Sequence, residues 1–80
     1  MAAILNRTKF TKQLGQRIKQ IRIEKGVSLK SFESREWSFD RSELSRIENG
    51  LVNPSAYTLY KISKVLDVDI RYFFDKIREK

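Results

Sequence analysis

Asp40-Arg41-Ser42-Glu43-Leu44-Ser45-Arg46-Ile47-Glu48-Asn49-Gly50 reads as a short helix with both ends marked. Asp40 is a good N-cap residue, and Glu43 three places on completes the Asp-x-x-Glu variant of a capping box. Asn49-Gly50 supplies the stop, because glycine takes up the left-handed conformation that ends a helix at little steric cost. Leu44 and Ile47 share one face, so Arg41, Ser42, Ser45 and Arg46 lie on the other. A helix this short is not stable alone in water. Its meaning comes from what stands on either side.

Upstream, Ser28 is the N-cap of a second helix running to Arg35 or Glu36, with Val27 and Phe32 in the two positions of a hydrophobic staple. Trp37-Ser38-Phe39 follows as a short turn with two large apolar anchors. Two helices joined by a brief turn, the second exposing polar and basic side chains from its N-terminal half, match a helix-turn-helix that reads the major groove. This unit spans about residues 28–49.

Further out, Phe10, Leu14, Ile18 and Ile21 recur at helical spacing, with Thr8 or Thr11 as cap and Lys25-Gly26 as the end. Lys12, Gln16, Lys19 and Gln20 form the polar, cationic opposite face. Gly15 sits inside this pattern, at a cost of about 1 kcal/mol against alanine unless another helix packs close to it. Downstream, Pro54 or Ser55 opens a fourth helix with core residues Leu59, Ile62, Val65 and Leu66. Asp67-Val68-Asp69 breaks it, and Asp69 caps a fifth helix from Ile70 to about Ile77. Alternating apolar and polar runs that would signal strands are missing. The fold class is therefore all-α, a compact five-helix domain over 11–77, with a flexible basic N-terminal arm at 1–10 and a frayed tail at 78–80.

Eighty residues suffice for one domain and not two. The formal charge of +7 favours a polyanionic partner. It is unevenly spread: residues 1–26 carry seven Lys/Arg against Glu24 alone. The chain has neither Cys nor His, which removes disulfides, thiolate metal sites and the commonest general base. No metal, cofactor, small-molecule ligand or membrane partner is implied, and no enzymatic activity. Scattered carboxylates and the adjacent Ser63–Lys64, which do not face each other on a helix, offer no catalytic constellation.

Arg17-Ile18-Lys19-Gln20-Ile21-Arg22, Gly26-Val27-Ser28, Ser45-Arg46-Ile47-Glu48-Asn49-Gly50, Asn53-Pro54-Ser55 and Leu59-Tyr60-Lys61-Ile62-Ser63-Lys64-Val65-Leu66, in this order and spacing, resemble the phage-repressor (Cro/Xre-like) helix-turn-helix family over about residues 12–74. The resemblance implies a lambda-repressor-like domain that binds double-stranded DNA and regulates transcription from the cytoplasm of a prokaryotic cell, associated with the nucleoid. The tail Val68-Asp69-Ile70-Arg71-Tyr72-Phe73-Phe74 loosely resembles the restriction–modification controller subgroup.

The resemblance also implies roles. Arg41, Ser42, Ser45 and Arg46 match base-reading positions, arginine being suited to guanine O6 and N7. Glu43 has two roles open to it, accepting from cytosine N4 or closing the capping box, and Arg46 has the alternative of pairing with Glu43. Ser28, Leu29 and Lys30 match a phosphate site at a helix N-terminus, and Asn49, Asn53 and Ser55 match phosphate contacts around the following loop. Arg22 and Glu48 match a partly buried, structural salt bridge. Apart from the resemblance, the basic arm residues Arg7, Lys9 and Lys12 have two readings open to them, contact with phosphate or a minor groove, or disorder.

A module this small covers little DNA, which favours a twofold homodimer with recognition helices about 34 Å apart on an imperfect palindrome. Tyr72, Phe73, Phe74 and Ile77 are the interface candidates, with one of the two phenylalanines turned into the core. The alternative reading is a protein–protein adaptor or antitoxin-like module on the same fold. One departure stands out: Phe32 to Trp37 is one residue longer than the family pattern, Glu33 replaces a small alanine, and Ser38 stands near the usual turn glycine.

Overall fold

The structure is a computed structural model and describes residues 4–33 and 39–78. It contains three α-helices, α1 (Arg7–Glu24), α2 (Arg41–Glu48) and α3 (Ala56–Leu66), and two 3-10 helices, Leu29–Glu33 and Ile70–Phe73. Among the described residues, the expected five α-helices are thus corrected to three plus two 3-10 turns.

The corrections have local causes. At the second position, the Ser31 N–H bonds to both the carbonyl (3.1 Å) and the hydroxyl (3.3 Å) of Ser28. Such short-range serine bonds compete with α-helical pairing. The expected continuation to Arg35 or Glu36, and the turn residues Trp37 and Ser38, lie outside the described residues. At the fifth position the backbone bonds run three residues back, Tyr72 to Asp69, Phe74 to Arg71 and Ile77 to Phe74. Consecutive aromatic side chains are poor α-helix formers, and short 3-10 turns serve where an α-helix does not propagate.

α1 starts earlier than expected. Asn6, not Thr8 or Thr11, caps it, its side chain accepting from the Lys9 N–H at 2.9 Å. Arg7, Lys9 and Phe10 are therefore helical and not part of an arm, and Thr11 is buried within the helix. At the tail, the Gln13 amide donates to the Arg78 carbonyl (3.0 Å) and accepts from its N–H (2.7 Å).

The core joins Leu14, Ile18 and Ile21 of α1, Phe32 of the first 3-10 helix, Phe39 just before α2, Leu44 and Ile47 of α2, Leu59, Ile62 and Leu66 of α3, and Phe73 of the second 3-10 helix. Phe32 and Phe39 flank the connection before α2 and meet edge to face with ring centres 5.6 Å apart. This contact ties the first 3-10 helix to the entry of α2. Both α1 and α2 end in the same way, with Gly26 and Gly50 left-handed and paired bonds back to the last turn. Among the described residues, no helix is long and apolar enough to cross a membrane.

Candidate nucleic-acid interface

α2 is fixed on three sides before any outward residue is considered. From below, Leu44 and Ile47 are fully buried. At its start, the Asp40 carboxylate accepts from the Ser42 N–H at 2.8 Å. That bond goes to the second helical N–H and not to Glu43, the third, and among the described residues no reciprocal bond joins the Glu43 carboxylate to the cap, so Asp40 caps the helix without the expected capping box. At its end, Gly50 is left-handed (φ +73), and the Leu51 N–H reaches the Arg46 carbonyl at 3.0 Å.

α1 supplies the remaining clamp. Arg22 donates from Nε to Glu48 Oε2 (2.7 Å) and from Nη2 to Oε1 (3.0 Å), and from Nη1 to the Val27 carbonyl (2.9 Å). With Glu48 4% exposed, this is a bidentate pair largely out of solvent. The helix axes come close because Gly15 of α1 faces the backbone of Ile47 and Glu48; an added Cβ would overlap the Ile47 carbonyl. The glycine that weakens α1 locally is what lets α2 lie against it.

The outward face then carries Arg41, Ser42 and Arg46, all exposed, with Glu43 and Ser45 half-buried at its edges. Arg41 is not free: its Nε lies 3.0 Å from Glu33 Oε1 at the end of the first 3-10 helix. Neither capping nor charge patterning signals this contact, because the two residues are eight positions apart on different elements. Among the described residues Arg46 has no such partner, and the expected alternative of an Arg46–Glu43 pair is not formed.

Around this face lie the candidate phosphate ligands. Ser28 and Lys30 are exposed, whereas Leu29 is partly buried against the core. A five-residue 3-10 helix aligns few peptide dipoles, so the helix-end contribution expected there is reduced. Asn49 turns its amide back to the Ser45 carbonyl at 2.9 Å. Asn53 is exposed. Ser55 is the cap of α3, accepting from the Thr58 N–H at 3.1 Å and donating to its hydroxyl at 3.0 Å. Beside Asn49, sequence reasoning missed a groove lined by Lys12, Gln16 and Lys19 of α1 together with Glu48. The signal was there: these cations recur along one α1 face, but their closeness to the end of α2 depends on Gly15.

The expected dimer residues separate. Phe73 is wholly buried in the core, so it is corrected from interface to core. Tyr72 and Phe74 are 53% and 41% exposed, and Ile77 is partly buried. Arg17 holds this end of the chain, donating from Nε to the Tyr72 carbonyl (3.0 Å) and pairing with Asp75 (3.2 Å). A second exposed aromatic pair, Tyr57 and Tyr60 on α3, was not singled out by the sequence reading; the rings are near-parallel with centres 6.3 Å apart.

A short helix packed on a second one, with the latter clamped from behind and presenting arginine and serine outward, defines a helix-turn-helix module. Comparison with known proteins places it further. A family model described as a helix-turn-helix domain matches residues 15–79. The chain belongs to this helix-turn-helix family, in its phage-repressor (Cro/Xre-like) form. It is 45% identical over 67 residues to the HTH-type transcriptional regulator SinR of Bacillus subtilis (strain 168), covering 82% of this chain and 60% of that protein. It is 48% identical over 58 residues to SinR of Bacillus licheniformis, covering 71% of this chain and 51% of the relative. The chain thus spans little more than half the length of these regulators. Among solved structures it resembles the restriction–modification controller protein C.AhdI from Aeromonas hydrophila, with a TM-score of 0.73 and 30% identity over 80% of this chain and 96% of that one.

Proposed function

We propose that this chain is a sequence-specific, double-stranded DNA-binding transcriptional regulator that enters the major groove with α2. The observation carrying this reading is that Arg41, Ser42 and Arg46 stand exposed on a helix whose core face, both ends and angle to α1 are fixed. Rigid placement is what base reading requires, since a bidentate arginine–guanine contact tolerates little displacement. The names of the relatives, two transcriptional regulators and a restriction–modification controller, support the same direction.

Charge divides the work. α2 and its entry carry Asp40, Glu43 and Glu48 as well as two arginines, so this segment supplies little net attraction for phosphate. Affinity comes from the flanks: Lys30 before it, and Lys12 and Lys19 of α1 beside Asn49. Ser28, Leu29, Asn53 and Ser55 complete the phosphate-facing rim, Leu29 through its backbone N–H and Ser55 through the N-terminus of α3. Two copies related by a twofold axis, meeting through Tyr72, Phe74 and Ile77, span successive major grooves on an imperfect palindrome.

The test is binding to random duplex by fluorescence anisotropy at ~50 mM salt, followed by selection of bound sequences from a random pool. Salt-sensitive binding and a selected half-site repeated with dyad symmetry are expected. Absence of salt-sensitive binding would overturn the reading in favour of a protein–protein adaptor.

A further inference from the structure

Arg41 is the first residue of α2, and its partner Glu33 is the last described residue of the first 3-10 helix. The contact is through Nε, 3.0 Å from Oε1, and both side chains are about half exposed, at 56% and 41%. An exposed pair of this kind adds little to folding stability. Its position matters more than its strength, because it fixes one edge of a guanidinium on the reading face.

Arginine presents two donor edges, one made by Nε with an Nη and the other by the two Nη groups. Guanine offers O6 and N7 as a matched pair of acceptors in the major groove. With Nε beside the Glu33 carboxylate, the distal Nη edge is the one left to meet a guanine, and the contact restrains a long side chain that would otherwise lose rotamer freedom on binding. Asp40, the adjacent carboxylate, is engaged with the Ser42 N–H, and it is Glu33 that meets Arg41. The same carboxylate repels phosphate, so it weakens binding to every sequence alike. The two effects have opposite signs, which makes them separable.

We propose that Glu33 is a positioning residue for sequence specificity: it holds Arg41 so that the guanidinium forks onto one guanine of the half-site, at the expense of non-specific affinity. This rests on the DNA-reading function proposed above and adds to it the residue that sets selectivity at one base pair.

The experiment compares the wild-type chain, Glu33→Gln, Arg41→Ala and the double variant by selection from a random duplex pool and by affinity for the selected and random duplexes. Arg41→Ala is expected to erase a guanine preference at one position. Glu33→Gln is expected to weaken that same preference by roughly tenfold. It should also bind random duplex more tightly at ~50 mM salt. The double variant should match Arg41→Ala alone, and the Glu33→Gln melting temperature should shift by no more than about 4 °C. An unchanged base preference in Glu33→Gln overturns the proposal while leaving the DNA-binding function intact. A sharpened preference also overturns it, because Glu33 would then be a competitor withholding Arg41 from DNA. A wild-type chain that selects no sequence overturns the DNA-reading function, and this inference with it.

Discussion

Gly15 of α1 lies directly against the Ile47 carbonyl of α2, and a Cβ at that position would also come within 3.0 Å of the Glu48 carbonyl oxygen. The obstructing atoms are backbone, which cannot swing aside as a side chain can. α2 is therefore held at a distance from α1 that only glycine permits.

Gly15→Ala tests this directly. On an isolated helix the change would stabilise by about 1 kcal/mol. Here the forced separation of α1 and α2 costs more, and overpacking of this kind is worth about 1–3 kcal/mol. Net destabilisation in urea unfolding is expected, together with weaker DNA binding because the reading face tilts. A more stable Gly15→Ala variant would show that the two helices can move apart freely.

The Arg22–Glu48 pair makes a second prediction. Removing one partner leaves the other charge uncompensated and nearly buried, at a cost of about 3–5 kcal/mol. Arg22→Met and Glu48→Leu should each destabilise by that order, whereas the double variant should recover most of the loss. Equal additive losses in the double-mutant cycle would mean that the pair acts independently of its electrostatics.

Asp67 offers a change in the other direction. It ends α3 in the left-handed conformation (φ 55, ψ 49), where the Val68 N–H closes onto the Ser63 carbonyl at 3.0 Å. A non-glycine residue pays about 1–2 kcal/mol there, less for aspartate, while glycine adds entropy to the unfolded chain. Asp67→Gly is expected to stabilise by about 0.5 kcal/mol net, seen as a melting temperature raised by a few degrees. A lowered melting temperature would point to an undetected role for the Asp67 carboxylate.

These positions also mark how far the sequence could be read. Periodicity found the inward residues of α2 and most of the core, because Leu44, Ile47, Leu59, Ile62 and Leu66 repeat at helical spacing. It could not separate α from 3-10 geometry at Leu29–Glu33 and Ile70–Phe73, since a single turn gives too few repeats to define a period. Gly15 was recognisable as an anomaly whose explanation had to be a close neighbour. Asn6 was passed over although it stands three residues before Lys9, at cap spacing. The outward face of α2 was legible as residues and not as contacts. Whether Arg41 stands free or beside Glu33 depends on how the first 3-10 helix sits against α2, and no local rule encodes it.

The proposed division between specificity and affinity is tested at Arg46 and Lys30. Both are exposed, but Arg46 lies on α2 and Lys30 on the 3-10 helix before it. Arg46→Ala should lower affinity for the selected duplex by about 1–3 kcal/mol while changing random-duplex binding much less. Lys30→Ala should weaken both alike and reduce the slope of log K against log salt by about one. Interchanged behaviour would reverse the two assignments.

The adjacent phenylalanines give the sharpest contrast within two residues. Phe73 is fully buried, held among α1 and α3, while Phe74 is 41% exposed next to Tyr72. Phe73→Ala should cost about 3–5 kcal/mol, enough to unfold a domain of this size at ambient temperature. Phe74→Ser should leave the melting curve nearly unchanged and act only on association. If two copies meet through Tyr72 and Phe74, sedimentation of the wild-type chain at ~100 µM will show dimer, Phe74→Ser will show monomer, and cooperative binding to the palindrome will be lost while half-site affinity persists. Dimer retained in Phe74→Ser would move the interface elsewhere. The stacked Tyr57 and Tyr60 of α3 are the next exposed aromatic surface to substitute, although Lys61 and Lys64 beside them would bring like charges together across a twofold axis.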